Sequence, residues 1–205
     1  MTGRIVIDLF TTLDGVAQAP GGPEEDPTAG FAFGGWQAPL MDEGVGRQVD
    51  TGMQQLGALL LGRRTYDIFA AYWPHHTDGP EGPIGRLFDA VPKYVASRGA
   101  PALDWQGSEL LGSDLDAEIA ALRERHDNVH VIGSIDFAHT LLDRGLYDEL
   151  VLWVYPIVLG QGKKVFPDGA VPARLRLVAA SAPTEVGVVQ LRYAPDGTPE
   201  TGDMT

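Results

Sequence analysis

The order of apolar segments predicts an α/β domain: a largely parallel, helix-covered sheet with antiparallel strands at one edge. Three observations predict it. Short runs such as Ile5-Val6-Ile7 and Leu59-Leu60-Leu61 are apolar at consecutive positions, which suits strands buried on both faces. Up to residue 144 these runs alternate with segments of helical periodicity. From residue 149 the pattern turns strand-rich, which adds antiparallel pairing to the parallel part.

Taken in order, Arg4 to Phe10 is a strand that leads into the turn Asp14-Gly15. Ala19 to Gly35 is rich in Gly, Pro and Glu, and a loop of that length in a compact domain points to function. Asp42 to Leu56 is a helix with Val45, Val49, Met53 and Leu56 at helical spacing, weakened by Gly44 and Gly46. Ala58 to Leu61 is a short strand stopped by Gly62, and the helix starting near Arg64 ends at Tyr72-Trp73-Pro74. Ile84 to Ala90 is a helix, Lys93 to Ala96 a strand, and Asp104 to Leu111 holds another strand. Ser113 or Asp114 caps a helix reaching His126. Val129 to Ile132 is a strand, followed by a helix over Ile135 to Arg144 that stops at Gly145. Glu149 to Val158 is a long strand, and Leu175 to Thr184 and Val186 to Tyr193 form an antiparallel pair. Residues 1–193 read as one domain, and the polar residues 194–205 as a disordered tail.

The 205 residues include no cysteine, which excludes thiol nucleophiles, zinc–thiolate sites and iron–sulfur clusters. The net charge of −13 opposes nucleic acid as a partner. An anionic small molecule would need a local positive site. No run approaches the roughly 20 apolar residues of a membrane span, and no signal peptide is evident at the start, so a cytoplasmic protein is expected. The five histidines have no ligand spacing, and no metal is assigned.

Three strand ends carry residues suited to an anion. In Gly62-Arg63-Arg64-Thr65, the glycine permits a close backbone approach, the helix start offers free N–H groups, and the arginines and Thr65 add donors. A capped helix start with two solvated arginines fits equally well. Ile132-Gly133-Ser134-Ile135 joins a buried strand to a helix by a turn that suits a pyrophosphate, but without the three-glycine dinucleotide fingerprint; a plain Gly-Ser cap is the alternative. Ser97-Arg98 offers a hydroxyl and a guanidinium at a third strand end, or is a surface turn. Ligands of open α/β sheets lie beyond the carboxyl ends of parallel strands, so three such ends fit one extended anionic ligand. Asp14 contacts substrate or orders its loop. Trp36 is a stacking surface at a pocket mouth or a loop anchor. Asp42, Glu43 and Asp50 share a helix from which a proton donor could face the pocket.

The segments Thr12-Leu13-Asp14-Gly15, Leu60 to Tyr66, Lys93 to Ser97, Val131 to Ser134, Gly145 to Leu150 and Pro156 to Phe166 occur in an order that resembles the dihydrofolate reductase-like family, in particular the C-terminal reductase domain of riboflavin-biosynthesis enzymes. The resemblance covers Arg4 to Tyr193. It implies a three-layer fold around a mixed, mostly parallel sheet of about eight strands with helices on both faces, NADPH as hydride donor, a small heterocyclic substrate of pterin or pyrimidine type, and a homodimer to which Leu150 to Tyr155 would contribute. It implies that Gly62, Arg63, Arg64 and Thr65 hold cofactor phosphates, and that Ser97 and Arg98 lie near the 2′-phosphate. Ile132, Gly133, Ser134 and Ile135 would cover the pyrophosphate, and Thr12, Gly15 and Val16 would flank the nicotinamide. Asp14 and Asp50 stand as candidate catalytic carboxylates and Trp36 as the candidate substrate contact. Ser134 replaces the second glycine common in that turn. The zinc deaminase half of the bifunctional enzymes is not in this sequence. A ligand-binding protein on the same scaffold, without turnover, is the alternative function.

Overall fold

A computed structural model describes residues 2–204. The strands are β1 (Arg4–Thr12), β2 (Ala58–Gly62), β3 (Lys93–Ala96), β4 (Ser108–Leu110), β5 (Asn128–Val131), β6 (Glu149–Tyr155), β7 (Leu175–Ala180) and β8 (Val189–Pro195). The helices are α1 (Glu43–Met53), α2 (Arg63–Tyr72), α3 (Gly82–Ala90), α4 (Leu115–Arg125) and α5 (Ile135–Asp143). The strands form one sheet in the order β4-β3-β2-β5-β1-β6-β8-β7. All neighbours from β4 to β6 are parallel, while β8 runs antiparallel to both β6 and β7.

The alternation of side chains along β1 separates the layers. Ile5, Ile7 and Leu9 pack with α4 and α5 through Ile119, Leu122, Phe137 and Leu141. Val6 faces the other way and packs with Val45 of α1, Val151 and Trp153. Farther along that second face, Leu59 and Leu61 meet Met53, Tyr66 of α2 and Phe88 of α3. Helices therefore cover both faces, as the apolar periodicity predicts.

Most differences from expectation lie at element ends. β6 stops at Tyr155 because Pro156 has no N–H to extend the ladder. β7 ends at Ala180, short of Pro183, and the chain turns through Thr184 to Gly187 at φ +84° before β8. β8 runs through Pro195, and Arg174 pairs with Asp196 at 2.8 Å, so ordered pairing passes the expected boundary at residue 193. β6 is flanked by β1 and β8 and is mostly buried, which removes it as a dimer surface. The exposed apolar residues of this edge, Leu177 and Val178, lie on β7. No helix among the described residues is long and apolar enough to cross a membrane.

Candidate functional site

The strand order reverses around β1, and a cleft opens at the carboxyl ends of β1, β2 and β5, where such a sheet places its ligands. Two helices start there. α2 begins directly after β2 with Gly62 as its N-cap, and α5 begins after β5 with Ser134 as its N-cap; neither has a side-chain cap. By contrast, α1 and α4 are capped by Asp42 and Asp114. The Phe137 N–H turns back to the Ser134 carbonyl at 3.0 Å, which leaves the Ile135 and Asp136 N–H groups of α5 and the first-turn N–H groups of α2 for another acceptor, and both helix dipoles favour an anion.

The two helix starts are held together by backbone. Gly62 N–H donates to the Gly133 carbonyl at 3.0 Å. A Cβ on Gly62 would collide with Ser134, and one on Gly133 would come within 2.6 Å of Thr65 Oγ1. Gly133 has φ +138°, outside the range of ordinary side chains, and the Gly133–Ser134 peptide is cis. Gly62 pairs with Ala96 across β2 and β3, which puts Ser97 on the same strand-end edge. Gly62, Ser97 and Gly133 therefore share one edge. Ser97 Oγ accepts the Gly99 N–H at 3.2 Å, and Arg98 is exposed beside it.

Arg64, Thr65, Ile132, Gly133, Ser134 and Ile135 line the cleft together. Arg63 does not: it turns outward and pairs with Asp67 at 2.6 Å, one helical turn along α2. Thr12, Gly15 and Val16 do not line it either. Thr12 Oγ1 donates to Asp14 at 2.6 Å and accepts the Val16 N–H, Gly15 turns at φ +83°, and Val16 is fully buried. Strand β1 lines the cleft at Leu9 and Phe10, and after this turn the chain lines it again from Ala17 to Pro20.

The candidate carboxylates are placed elsewhere. Asp14 accepts the Leu159 and Gly160 N–H groups at 3.2 and 2.7 Å, so it clasps the β1 turn to the segment after β6. The Thr12 hydroxyl, followed by those two N–H groups, holds its carboxyl below the ordinary value despite partial burial. Asp50 is exposed on α1 and does not line the cleft. Trp36 is buried, donates Nε1–H to the Gln18 carbonyl at 2.8 Å and meets Tyr155 edge-on. It anchors the long loop rather than presenting a stacking surface.

Sequence reasoning assigned no role to Gln18, Glu25, Asp26 or Lys163, yet all four line the cleft. Gln18 Nε2 holds the Asp26 and Thr28 carbonyls, and its Oε1 accepts the Lys163 N–H. Asp26 is buried and forms ion pairs with both Arg64 and Lys163, the latter at 3.1 Å. Burial pushes the Asp26 carboxyl up, but hydrogen bonds from Thr28 and Lys163 outweigh it and leave the pKa lowered. Glu25 shifts the opposite way: burial raises it, against bonds from the Gly21 and Gly22 N–H groups. With the loop in this position the cleft keeps about 60 Å³ of free space. An Asp in a Gly/Pro-rich loop has no spacing that identifies its distant partners.

A solved structure of a pyrimidine reductase-like protein from Corynebacterium diphtheriae superposes with a TM-score of 0.61, at 14% identity, covering 95% of this chain and 92% of that one. A diaminohydroxyphosphoribosylaminopyrimidine deaminase/5-amino-6-(5-phosphoribosylamino)uracil reductase from Thermotoga maritima superposes with the same score at 18% identity, over 95% of this chain and 57% of its own. In sequence, the uncharacterized protein YyaP of Bacillus subtilis is 28% identical over 196 residues, covering 93% of this chain and 94% of YyaP. Residues 4–188 match the family model of the RibD C-terminal domain, and the chain belongs to that family.

Proposed function

We propose that this protein is an NADPH-dependent reductase of a small nitrogen heterocycle of the pyrimidine or pterin class. One observation carries the reading: the uncapped starts of α2 and α5 share a cleft with Arg64 and Lys163 at the carboxyl ends of three parallel strands. Free N–H groups, two helix dipoles and two cations form a donor set for phosphate. NADPH would supply the hydride. Arg64, Thr65, Ser134 and the first-turn N–H groups would hold its phosphates, and Ser97 and Arg98 would meet the 2′-phosphate one strand farther out.

The loop carboxylate Asp26 occupies the cations that the cofactor needs. It acts as an internal counterion, and phosphate binding must exchange with it and move the loop. A dinucleotide needs far more than the present free space, since small-molecule sites span about 300–1,000 Å³. Glu25 lines the cleft with a carboxyl whose pKa burial raises, and it is our candidate proton donor to the substrate. Asp14 positions the turn that leads the chain into the cleft. The exposed strand β7 is the surface we assign to a homodimer.

The test is thermal denaturation with NADPH and with NADH, followed by NADPH oxidation in the presence of pyrimidinones and pterins. NADPH should raise the melting temperature more than NADH does, and at least one heterocycle should drive oxidation. An equal response to both cofactors, or none, overturns the cofactor assignment; binding without oxidation of any heterocycle overturns turnover.

A further inference from the structure

A second opening lies at the other end of the sheet. Between α1, the turn after β7 and the first residues of β1, β5 and β6 is a cavity of about 970 Å³, within the range of small-molecule sites. It shares no lining residue with the cofactor cleft. On β1, Asp8 faces this cavity and Phe10 the cleft, roughly 7 Å apart along the strand. Phe10 packs on Trp153 and Tyr155, with ring centroids 6.0 and 6.1 Å away.

The reductase reading leaves the charged floor of this cavity without a role. Asp8, His130 and Glu149 are 5%, 6% and 2% exposed. Arg4 and Arg192 both pair with Glu149 and satisfy it. Asp8 Oδ1 accepts the Trp153 Nε1–H at 2.6 Å. Asp8 Oδ2 lies 3.5 Å from His130 Nδ1, too far for a good hydrogen bond. Among the described residues, four buried side-chain atoms lack a hydrogen-bond partner. Two of them, His130 Nδ1 and Gln48 Oε1, belong to residues lining this one cavity. A buried polar atom left unpaired costs about 1–3 kcal/mol. Two on one cavity point to a partner that enters it.

Charge selects the class of that partner. The lining carries three arginines and five carboxylates, so an anion is disfavoured. The spare groups Asp8 Oδ2 and Gln48 Oε1 are acceptors and call for N–H donors. Val6 and Val151 supply apolar contact for a flat ring. We propose that the cavity is a second small-molecule site, separate from the cofactor cleft, which takes an aromatic amidine or amine with N–H donors anchored by Asp8, His130 and Gln48.

The test follows the histidine signals of the full chain by NMR, with His130 assigned from its loss in His130→Gln. Benzamidine, benzamide and benzoate share one shape and differ in charge. Benzamidine should give a saturable shift of the His130 signal, benzamide a weaker one and benzoate none. Gly52 lines the cavity from α1, and a Cβ there meets nothing nearer than Gln190 Nε2 and Trp153 Cζ2 at 3.9 Å, so Gly52→Leu places its side chain toward the cavity without a backbone clash at the Cβ. That variant should weaken benzamidine binding at least tenfold with the free His130 signal unmoved. Absence of a saturable shift with wild-type protein overturns the proposal, as does benzoate binding as tightly as benzamidine. A Gly52→Leu variant that is folded and still binds benzamidine at full strength also overturns it.

Discussion

The two ends of the sheet differ in an instructive way. At the carboxyl ends of the strands, helix starts, Arg64 and Lys163 form a positive site that the protein fills with its own Asp26. At the amino ends, a much larger space keeps unpaired His130 and Gln48 atoms. The size of an opening therefore does not rank its chemistry. A small cleft with two uncapped helix starts is a better anion site than a wide cavity with excess carboxylate, because donors and field decide what binds.

The comparison is broken most directly at Gly133. A Gly133→Val substitution forces a branched side chain into a φ of +138° and onto Thr65, so it should abolish the NADPH-induced rise in melting temperature. A normal cofactor response in that variant would remove the cleft from the binding model. Arg64→Ala comes next. Losing a charged phosphate contact should weaken NADPH by about 1.5–3 kcal/mol, whereas Arg63→Ala should leave affinity nearly unchanged because Arg63 points away and pairs with Asp67. Calorimetric titration of both variants separates the two arginines.

Asp26→Asn should act with the opposite sign. It removes the internal counterion, so NADPH should bind about fivefold tighter, equivalent to about 1 kcal/mol. The same change should reduce stability of the cofactor-free protein at neutral pH. Asp26 has a lowered pKa in the folded state, so its contribution is present above its unfolded value and lost as pH falls through the folded one. Glu25, with a raised pKa, contributes the reverse slope and costs stability as pH rises past its unfolded value. Acid unfolding curves of Asp26→Asn and Glu25→Gln should therefore shift in opposite directions. The smallest effect belongs to Asp50→Asn, which should change stability by no more than about 0.5 kcal/mol and leave NADPH oxidation intact, since Asp50 is exposed and outside the cleft.

Much of the fold was legible because its signals are local. The nearly continuous apolar run of β1, the helical spacing of Val45, Val49 and Met53, and Pro156 after β6 each act over a few residues. The strand-end turns at Gly62 and Gly133 were legible for the same reason, since a glycine before a helix start has a direct backbone meaning. Asp14, Asp50 and Trp36 were harder, because each residue type serves equally as a ligand, a clasp or a surface group. The neighbours that decide among these uses are Leu159 and Gly160 for Asp14, and Gln18 and Tyr155 for Trp36.

By itself, then, the order of residues determined the sheet, its helical cover and the strand tips where an anion would sit, since these follow from periodicity and backbone freedom within short windows. Only the tertiary structure decided that Asp26 reaches Arg64 and Lys163, and that Asp8 stands beside His130. Those pairs lie 38, 137 and 122 positions apart, and charge or hydrogen-bonding capacity in a sequence carries no address until the chain folds and brings the partners together.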